Sequence, residues 1–232
     1  MSGTKIVNYV KSEQQVIENM TRLANDGYTL IMSTLSEHGT AVYTMVLAHP
    51  DTYFAQATPY NTSLPIPPNL FVMEWNAADM YFSLSTFADA VSRNGVIGFI
   101  HPGPPYGPIM CVNSFFMGVK STRTNTSVHM VYTGTFLDPD LEKGATSILL
   151  DEIGADTILA QQDDFIVLQL LMERGILGVG TSGYLLSQVY RQDMGASLVY
   201  DWTRLFVVIV TLANKMIANR SYKPAPGEME VD

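Results

Sequence analysis

The amino-acid sequence predicts an α/β fold in which parallel β-sheets are flanked by helices. The main observation is the stretch from Val128 to Ser182, where three short apolar runs alternate with two segments of helical period. Each helical segment is followed by a glycine, Gly154 or Gly175, which readily takes the left-handed conformation that ends a helix. Because the connections are short, we expect parallel strands joined by right-handed crossovers. A chain of 232 residues, 47% of them hydrophobic, suffices for one large domain or two small lobes with a buried core.

The first part of the chain shows the same alternation. Ser12, with Gln15 three residues later, forms a capping-box pattern that predicts the start of a helix ending at 25–27. Further helices are predicted over 38–48, where Pro50 follows, and over 77–92. The predicted strands are Lys5–Val10, Tyr28–Ser33, Tyr53–Ala57 and Leu70–Trp75.

The second part is predicted to begin at Arg93–Gly95, where the long helix ends. Besides the stretch described above, it has predicted strands at 96–101 and 197–202 and predicted helices near 109–122 and at 203–219. The last residues, 221–232, are polar and contain proline, and we expect a flexible tail.

Composition excludes several classes of partner. There are 13 Lys and Arg against 22 Asp and Glu, which gives a net charge of -9 and argues against a nucleic acid or an anionic membrane surface. One cysteine, Cys111, excludes an internal disulfide. No run reaches the roughly 18 apolar residues of a membrane span, so no membrane insertion is expected. The first residues lack a basic region followed by a long apolar core, so the chain as given is expected to be cytoplasmic.

Candidate ligand-binding residues follow the predicted strands, since ligands of parallel sheets sit at the carboxyl ends of strands. Thr34, Ser36 and His38 lie between a strand and a helix, where free N–H groups can bind a ligand hydroxyl or an anion; the alternative is helix capping. His38 has no paired nucleophile and is interpreted as a surface or capping residue rather than a catalytic base. Trp75 offers a ring to stack on a planar base and Asn76 a polar edge to read it, unless Trp75 is a core residue.

The second part supplies further candidates. Tyr106 or His101 could stack on a ligand from a rigid proline-rich loop, which is otherwise a plain connection. Between a strand and a helix lie Gln161, Gln162, Asp163 and Asp164. Asp163 or Asp164 is a candidate N-cap, and ligand contact and helix capping are compatible there. Thr181 lies in a glycine-rich turn that lacks a following phosphate-binding lysine.

Several pieces of the sequence, in order, resemble the basic membrane lipoprotein (BMP) family of substrate-binding proteins, which includes nucleoside-binding, PnrA-like proteins that serve ABC transporters. They are LANDGYTLIMSTLSEHG (23–39), HPDTYFA (49–55), GVIGFIHP (95–102), NSFFMGVK (113–120), VYTGTFLDPDLEKGA (131–145), IGADTILAQ (153–161) and MERGILGVGTS (172–182). The resemblance covers most of residues 5–218.

This resemblance implies a type 1 periplasmic-binding-protein fold. Residues 1–94, with a helix at 203–220 returning to them, form the implied first lobe, and 95–202 form the second. A nucleoside or similar small planar ligand is implied in the cleft between the lobes, with Phe136 near the position where family proteins often place an aromatic residue; alternatively Phe136 is a packing anchor. Family members are usually periplasmic or lipid-anchored, so an ABC transporter permease is an expected partner only if the chain is exported.

The same resemblance implies departures from the family. Lys5–Val10 aligns with the family's second strand, so the first strand and helix, with an Asp-x-Gly-Phe-Asn-Asp-like motif that contacts the base, have no counterpart here. An open sheet edge would follow, and we expect a homo-oligomer through the truncated first lobe to cover it. Gly180 stands where nucleoside-binding relatives carry an Asp that holds the ribose, and Tyr200 stands where they carry a Lys.

Catalytic motifs are absent from the sequence. It has no GxGxxG that opens a helix after a strand, since GVGTSG (178–183) is interpreted as a tight turn, and it has no phosphate-binding GxxxxGK[ST] loop and no GxSxG. One Cys with four scattered His gives no metal-ligand spacing. We therefore expect no enzyme, no cofactor and no metal site. Two functions remain: a solute-binding protein of the BMP family, or a ligand-poor oligomeric or regulatory interaction protein on the same fold.

Overall fold

A computed structural model describes residues 3–8, 10, 12–35, 38–57, 64–74, 76–103, 109–181, 194–198, 201–225 and 228. The chain divides into two compact units, one formed by Met1–Trp75 with Asp201–Asp232 and the other by Asn76–Tyr200. Within the described residues, no helix is both long enough and apolar enough to cross a bilayer.

In chain order the elements are α1 (Glu13–Asn25), β1 (Leu30–Ser33), α2 (Gly39–Ala48), β2 (Tyr53–Ala57), β3 (Leu70–Met73), α3 (Ala77–Val91), β4 (Val96–His101), α4 (Ile109–Thr122), β5 (Ser127–Tyr132), α5 (Pro139–Ser147, continued by a π-helical turn, Ile148–Glu152), β6 (Thr157–Ala160), α6 (Ile166–Glu173), β7 (Leu177–Thr181), β8 (Met194–Leu198) and α7 (Trp202–Ala218).

The first unit is a parallel sheet of order β1-β2-β3. On one face, Ile31 and Phe54 pack with Val16 and Met20 of α1. On the other face, Ala55, Ala57 and Met73 pack with Ile209 of α7. Alternate side chains of a strand point to opposite faces, so a central strand that is covered on both sides is buried along its length. This is observed for β2, and α7 therefore completes the first unit.

The second unit is a parallel sheet of order β5-β4-β6-β7-β8. Helices α5 and α6 cover one face, where Ile100 and Ile158 pack with Leu149 and Leu171. Helices α3 and α4 cover the other, where Phe99 lies between the rings of Tyr81 and Phe115. The predicted α/β class with parallel sheets flanked by helices is confirmed.

The boundary between the units differs from the one that the sequence predicts. The Arg93–Gly95 turn suggests a boundary after the long helix, whereas the structure assigns α3 to the second unit. The buried carboxylate of Asp89 on α3 accepts hydrogen bonds from the hydroxyls of Thr122 and Thr126, each at 2.5 Å. The turn itself is held within the second unit, because Asp156 accepts hydrogen bonds from the backbone N–H groups of Arg93 and Asn94.

Two strand predictions also need correction. No strand forms in the described residues 5–8 and 10, although the sequence Lys5–Val10 predicts one. A short segment becomes a strand only when a neighbouring strand supplies ladder hydrogen bonds, and β1 pairs with β2 alone among the described strands. Near the end of the chain, the strand predicted at 197–202 lies earlier, at Met194–Leu198, and the helix α7 begins at Trp202.

Candidate functional site

The carboxyl ends of β4, β5, β6 and β7 form one edge of the second unit's sheet, because these strands are parallel. We call this the second-unit edge. It is built from His101 at the end of β4, residues 133–136 after β5, residues 161–164 after β6, and Thr181 at the end of β7.

His101 is fully buried at this edge, with 0% of its surface exposed. Its Nδ1 accepts the N–H of Gly103 at 2.8 Å, so the ring proton lies on Nε2. Burial lowers the pKa of His101 to about 4, which keeps the ring neutral near pH 7. Among the described residues Nε2 has no hydrogen-bond partner. A buried N–H without a partner is costly, so this donor is available to a ligand or to water.

Gln161 places an acceptor beside this donor. Strands β4 and β6 pair with Ile100 opposite Ala160, so His101 and Gln161 are neighbours on the same face of the sheet. The backbone N–H of Gln161 donates to the carbonyl of Ile100 at 2.9 Å, which fixes the position of the residue. Its Oε1 is buried and has no partner in the described part of the chain. The described part of the chain thus leaves one buried donor and one buried acceptor without partners on neighbouring residues of this edge.

Tyr132 adds an aromatic surface to the same edge. It is 48% exposed, and its ring centroid lies 5.7 Å from that of His101. Gly103 packs against the ring so closely that an added Cβ would lie 3.1 Å from Cδ1, and its φ of +80° also favours glycine. An exposed tyrosine next to hydrogen-bonding groups is suited to stacking on a planar or sugar ring.

Gln162 is buried and holds the loop after β5 in place. With its amide oriented to satisfy its neighbours, Nε2 donates to the carbonyls of Thr135 and Phe136 at 3.0 Å each, and Oε1 accepts from the Thr133 hydroxyl at 3.0 Å. The backbone N–H of Asp163 donates to the same Phe136 carbonyl at 2.8 Å. The side chain of Gln162, predicted as a ligand contact, is therefore used within the protein, and Phe136 is half-buried above it.

Glu142 of α5 is a fully buried carboxyl group behind this loop. Its Oε1 accepts the N–H of Asp138 at 3.1 Å. Burial, together with the neighbouring carboxyl of Asp164, raises the pKa of Glu142 to about 8, so it carries a proton at neutral pH. Asp164 in turn accepts the N–H of Ile166, the first residue of α6, at 2.9 Å, although the N-cap position of this helix is Phe165.

The first unit has its own carboxyl edge, at the ends of β1 and β2. The hydroxyl of Ser33 lies 3.0 Å from Nδ1 of His38, and Thr34 is exposed. Gln56 is fully buried, and its Nε2 donates to the carbonyls of Leu35 and Ala57 at 2.8 and 2.6 Å. Its Oε1 is buried with no partner among the described residues, so this edge also offers an acceptor.

The remaining predicted site residues have mixed outcomes. Asn76 caps α3, since its Oδ1 accepts the N–H of Asp79 at 3.3 Å and its Nδ2 donates to the Asp79 carboxylate. Ser36, Trp75 and Tyr106 lie outside the described residues. For Thr181 only the backbone is described, as the last residue of β7. Ligand contact by these residues stays a prediction.

Gln56, Tyr132 and Glu142 were not found by sequence reasoning. Gln56 is a polar residue inside an apolar run, which is a signal that the sequence contains. Glu142 shares a helical face with Ala145 and Leu149, at spacings of three and seven residues, so its burial could also have been predicted. Nothing in the sequence marks Tyr132 as a site residue, because an aromatic residue at a strand end is more often a packing residue.

Comparison with known families gives one match that covers most of the chain. The family model described as "ABC transporter substrate-binding protein PnrA-like" (Bmp) matches residues 3–219.

Curated relatives include receptor-like proteins of Dictyostelium discoideum. "Metabotropic glutamate receptor-like protein F" is 32% identical over 154 residues, which is 66% of this chain and 20% of the relative. "Metabotropic glutamate receptor-like protein K" is 28% identical over 208 residues, 86% of this chain and 29% of the relative. The chain therefore spans less than a third of the length of either relative.

Solved structures with the same fold include solute-binding proteins of ABC transporters. One from Aeropyrum pernix K1 superposes with a TM-score of 0.70 at 14% identity, covering 91% of this chain and 60% of that one. One from Actinobacillus succinogenes 130z, with bound D-allose, has a TM-score of 0.65 at 10% identity, covering 92% and 80%. One from Mycobacterium smegmatis, with bound glycerol, has a TM-score of 0.65 at 14% identity, covering 91% and 76%. Identities this low support the fold alone.

Proposed function

Because the chain belongs to the Bmp family of PnrA-like ABC transporter substrate-binding proteins, we propose that it binds a small solute at the second-unit edge. The observation that carries this proposal is a buried donor and a buried acceptor on neighbouring strands, Nε2 of His101 and Oε1 of Gln161, neither of which has a partner among the described residues. Unpaired buried groups destabilise a protein unless a ligand or water satisfies them. Here they lie where parallel sheets bind ligands.

The chemistry of the edge favours a neutral ligand. His101 is an uncharged donor, Gln161 is an uncharged acceptor, and Glu142 is protonated below about pH 8. The carboxylates of Asp163 and Asp164 lie on the same edge and disfavour an anion. Two structural neighbours carry D-allose and glycerol, which are neutral and rich in hydroxyl groups. Tyr132 offers a surface for a ring, so we propose a nucleoside or a similar ring-containing neutral solute.

We propose binding without catalysis, since the groups at the edge are a neutral imidazole, an amide and an exposed phenol. Delivery to an ABC transporter permease is proposed only for an exported form of the chain. Ligand contact by Phe136, Asp163 and Thr181 remains part of this proposal.

A second candidate function is ligand sensing within a larger receptor-like protein. The curated receptor-like relatives reach 33% identity, whereas the solved transporter proteins named above reach 14% at most. In this alternative the ligand is of the same kind, and the regulatory interaction replaces delivery to a permease.

Isothermal titration calorimetry tests the proposal with four probes: a purine nucleoside, a pyrimidine nucleoside, D-allose and glycerol. We expect measurable heats with at least one nucleoside and none with the corresponding nucleoside monophosphate, because the added phosphate is anionic. Tight binding of the monophosphate would contradict the proposed ligand class. Absence of heat with every probe, from protein shown to be folded by circular dichroism, would favour the ligand-poor interaction protein instead.

A further inference from the structure

A slot lies in the first unit between β1 and the N-terminal residues. It has a volume of about 310 Å³. Its lining includes Val7, Asn8 and Val10 near the start of the chain and Ile31 and Met32 of β1. The slot therefore lies beside the edge strand of the first unit's sheet.

The ladder groups on the side of β1 that faces away from β2 have no strand partner among the described residues. The N–H of Tyr53 donates to the carbonyl of Thr29, and Leu30 stands opposite Tyr53. In a parallel ladder the N–H and C=O groups of alternate residues point to the same neighbour. Thr29, Ile31 and Ser33 therefore face β2, while Leu30 and Met32 direct their backbone groups outward. Among the described strands none pairs with this edge.

The walls of the slot suit a strand with apolar side chains. Val16, Met20 and Leu23 of α1 cover it on one face of the sheet, together with Ile31. Of the described residues that line the slot, none is an Asp, Glu, Lys or Arg. The outward-directed backbone groups of β1 also favour a β-strand as the occupant, because a strand can form a hydrogen bond with each of them in turn.

We propose that the segment Gly3–Val10 of a second copy of this chain fills the slot. The segment has a strand-forming sequence with Ile6, Val7 and Val10, but no strand forms in its described residues. Ile6 is 78% exposed, whereas Val10 packs against the core of its own unit and Lys5 lies 3.9 Å from the carboxylate of Asp26. The segment is also basic in an acidic chain: residues 3–11 contain Lys5 and Lys11 and no acidic residue, against a net charge of -9 overall. A segment of this charge is attracted to a second acidic copy.

A twofold axis between the two segments lets each copy fill the slot of the other in the same way. The strand order at the junction is β1, the segment of the second copy, the segment of the first copy, and β1 of the second copy. Each segment stays on the far wall of its own slot while it fills the slot of the other chain. The contact is isologous and closed, so it ends at a dimer and joins the two three-stranded sheets into one.

Sedimentation velocity over an about hundredfold range of protein concentration tests the dimer. The informative variant is Met32→Pro, because the N–H of Met32 points into the slot and takes no part in the β1–β2 ladder. Proline is tolerated in edge strands at such positions. Met32→Ala is the matched control, since it loses the same packing of the side chain and keeps the N–H.

We expect a dimer for the wild type and for Met32→Ala, and a dissociation constant raised about tenfold or more for Met32→Pro. A wild type that stays monomeric at every concentration overturns the proposal, as does equal dimerisation of the two variants. If Met32→Pro fails to fold, Val7→Pro against Val7→Ala makes the same comparison on the segment. A synthetic Gly3–Val10 peptide should dissociate the dimer; a monomeric wild type that binds this peptide shows instead that the slot takes a strand from another polypeptide.

Discussion

At the scale of single residues, the buried polar groups of the second unit fall into two kinds. Asp89 and Gln162 have their hydrogen bonds within the protein. His101 and Gln161 leave one atom each unpaired within the described part of the chain. Native proteins leave few such atoms, and those that persist call for a functional explanation. This contrast separates the residues that frame the edge from the residues that we propose to contact ligand.

The substitution Gln161→Met should weaken solute binding without lowering thermal stability. Methionine has a similar shape and lacks the amide, so the variant should lose about tenfold or more in affinity for the bound solute. Its melting temperature should be unchanged or higher, because an unpaired acceptor is removed. The exposed Gln169→Met is the matched control, with wild-type affinity expected. Calorimetry and thermal melts measure both quantities; undiminished affinity in Gln161→Met would contradict a ligand contact by Gln161.

Glu142→Gln should remove a pH-dependent loss of stability. The pKa of Glu142 is about 8 in the folded chain, well above the ordinary value of 4.5. As pH rises from about 4.5 to about 8, the unfolded chain gains from ionising this group while the folded chain does not, so stability falls across this window. The melting temperature of Glu142→Gln should therefore exceed that of the wild type more at pH 8 than at about pH 5. Glu152→Gln, at an exposed position, controls for the loss of one carboxyl; an equal gain at both pH values would refute the assignment.

At the scale of elements, α3 and α4 come into close contact at Gly118. A Cβ added at Gly118 would lie 1.8 Å from Oγ of Ser85 and 2.6 Å from the backbone carbonyl of Phe82. A side chain can rotate away, whereas a backbone carbonyl in a packed helix cannot. The two helices therefore approach this closely only because residue 118 has no side chain.

Gly118→Ala is expected to destabilise the protein by about 1–3 kcal/mol, because the helices must move apart. Gly144→Ala is the control. It also replaces a helical glycine, but no atom lies within 4 Å of the added Cβ, so a gain of about 0.5–1 kcal/mol is expected from helix propensity. Chemical denaturation of the two variants measures both values. Similar changes in the free energy of unfolding of the two variants would mean that helix propensity, rather than the contact between α3 and α4, determines the effect at position 118.

At the scale of the whole molecule, the two units differ in how their cores are closed. The second unit draws its core from one continuous piece of chain, Asn76–Tyr200. The first unit needs residues from both ends, since Ile209 of α7 packs against Ala55, Ala57 and Met73. A continuous unit with its own core can in principle fold alone.

Expression of separate pieces tests this difference. Residues 76–200 should give a cooperative thermal transition by circular dichroism. Residues 1–75 without α7 should not, because one face of the sheet, including Leu30 and Phe71, would be exposed to water. Binding of a hydrophobic dye should report that exposed face. A cooperative transition from residues 1–75 alone would show that α7 is dispensable for the first unit.

The sequence by itself determined the order of helices and strands, because the signals that encode them are local. Ser12 begins α1 as its capping pattern predicts. Gly27, Gly154 and Gly175 follow helical segments with φ of +85°, +79° and +64°, as expected of left-handed stops. The alternation of strands and helices also predicted parallel sheets, and with them the edge at which ligand groups should gather.

Only the tertiary structure decided which partners these elements take and which polar atoms remain unpaired. The assignment of α3 to the second unit depends on the hydrogen bonds that Asp89 accepts from Thr122 and Thr126, more than thirty residues away. Whether Lys5–Val10 forms a strand depends on the presence of a neighbouring strand, which no local sequence pattern encodes. Gln161 and Gln162 are adjacent and chemically identical, yet one Oε1 is unpaired and the other amide is fully bonded. Successive side chains of an extended chain point to opposite faces, so their surroundings, rather than their identity, separate the two roles.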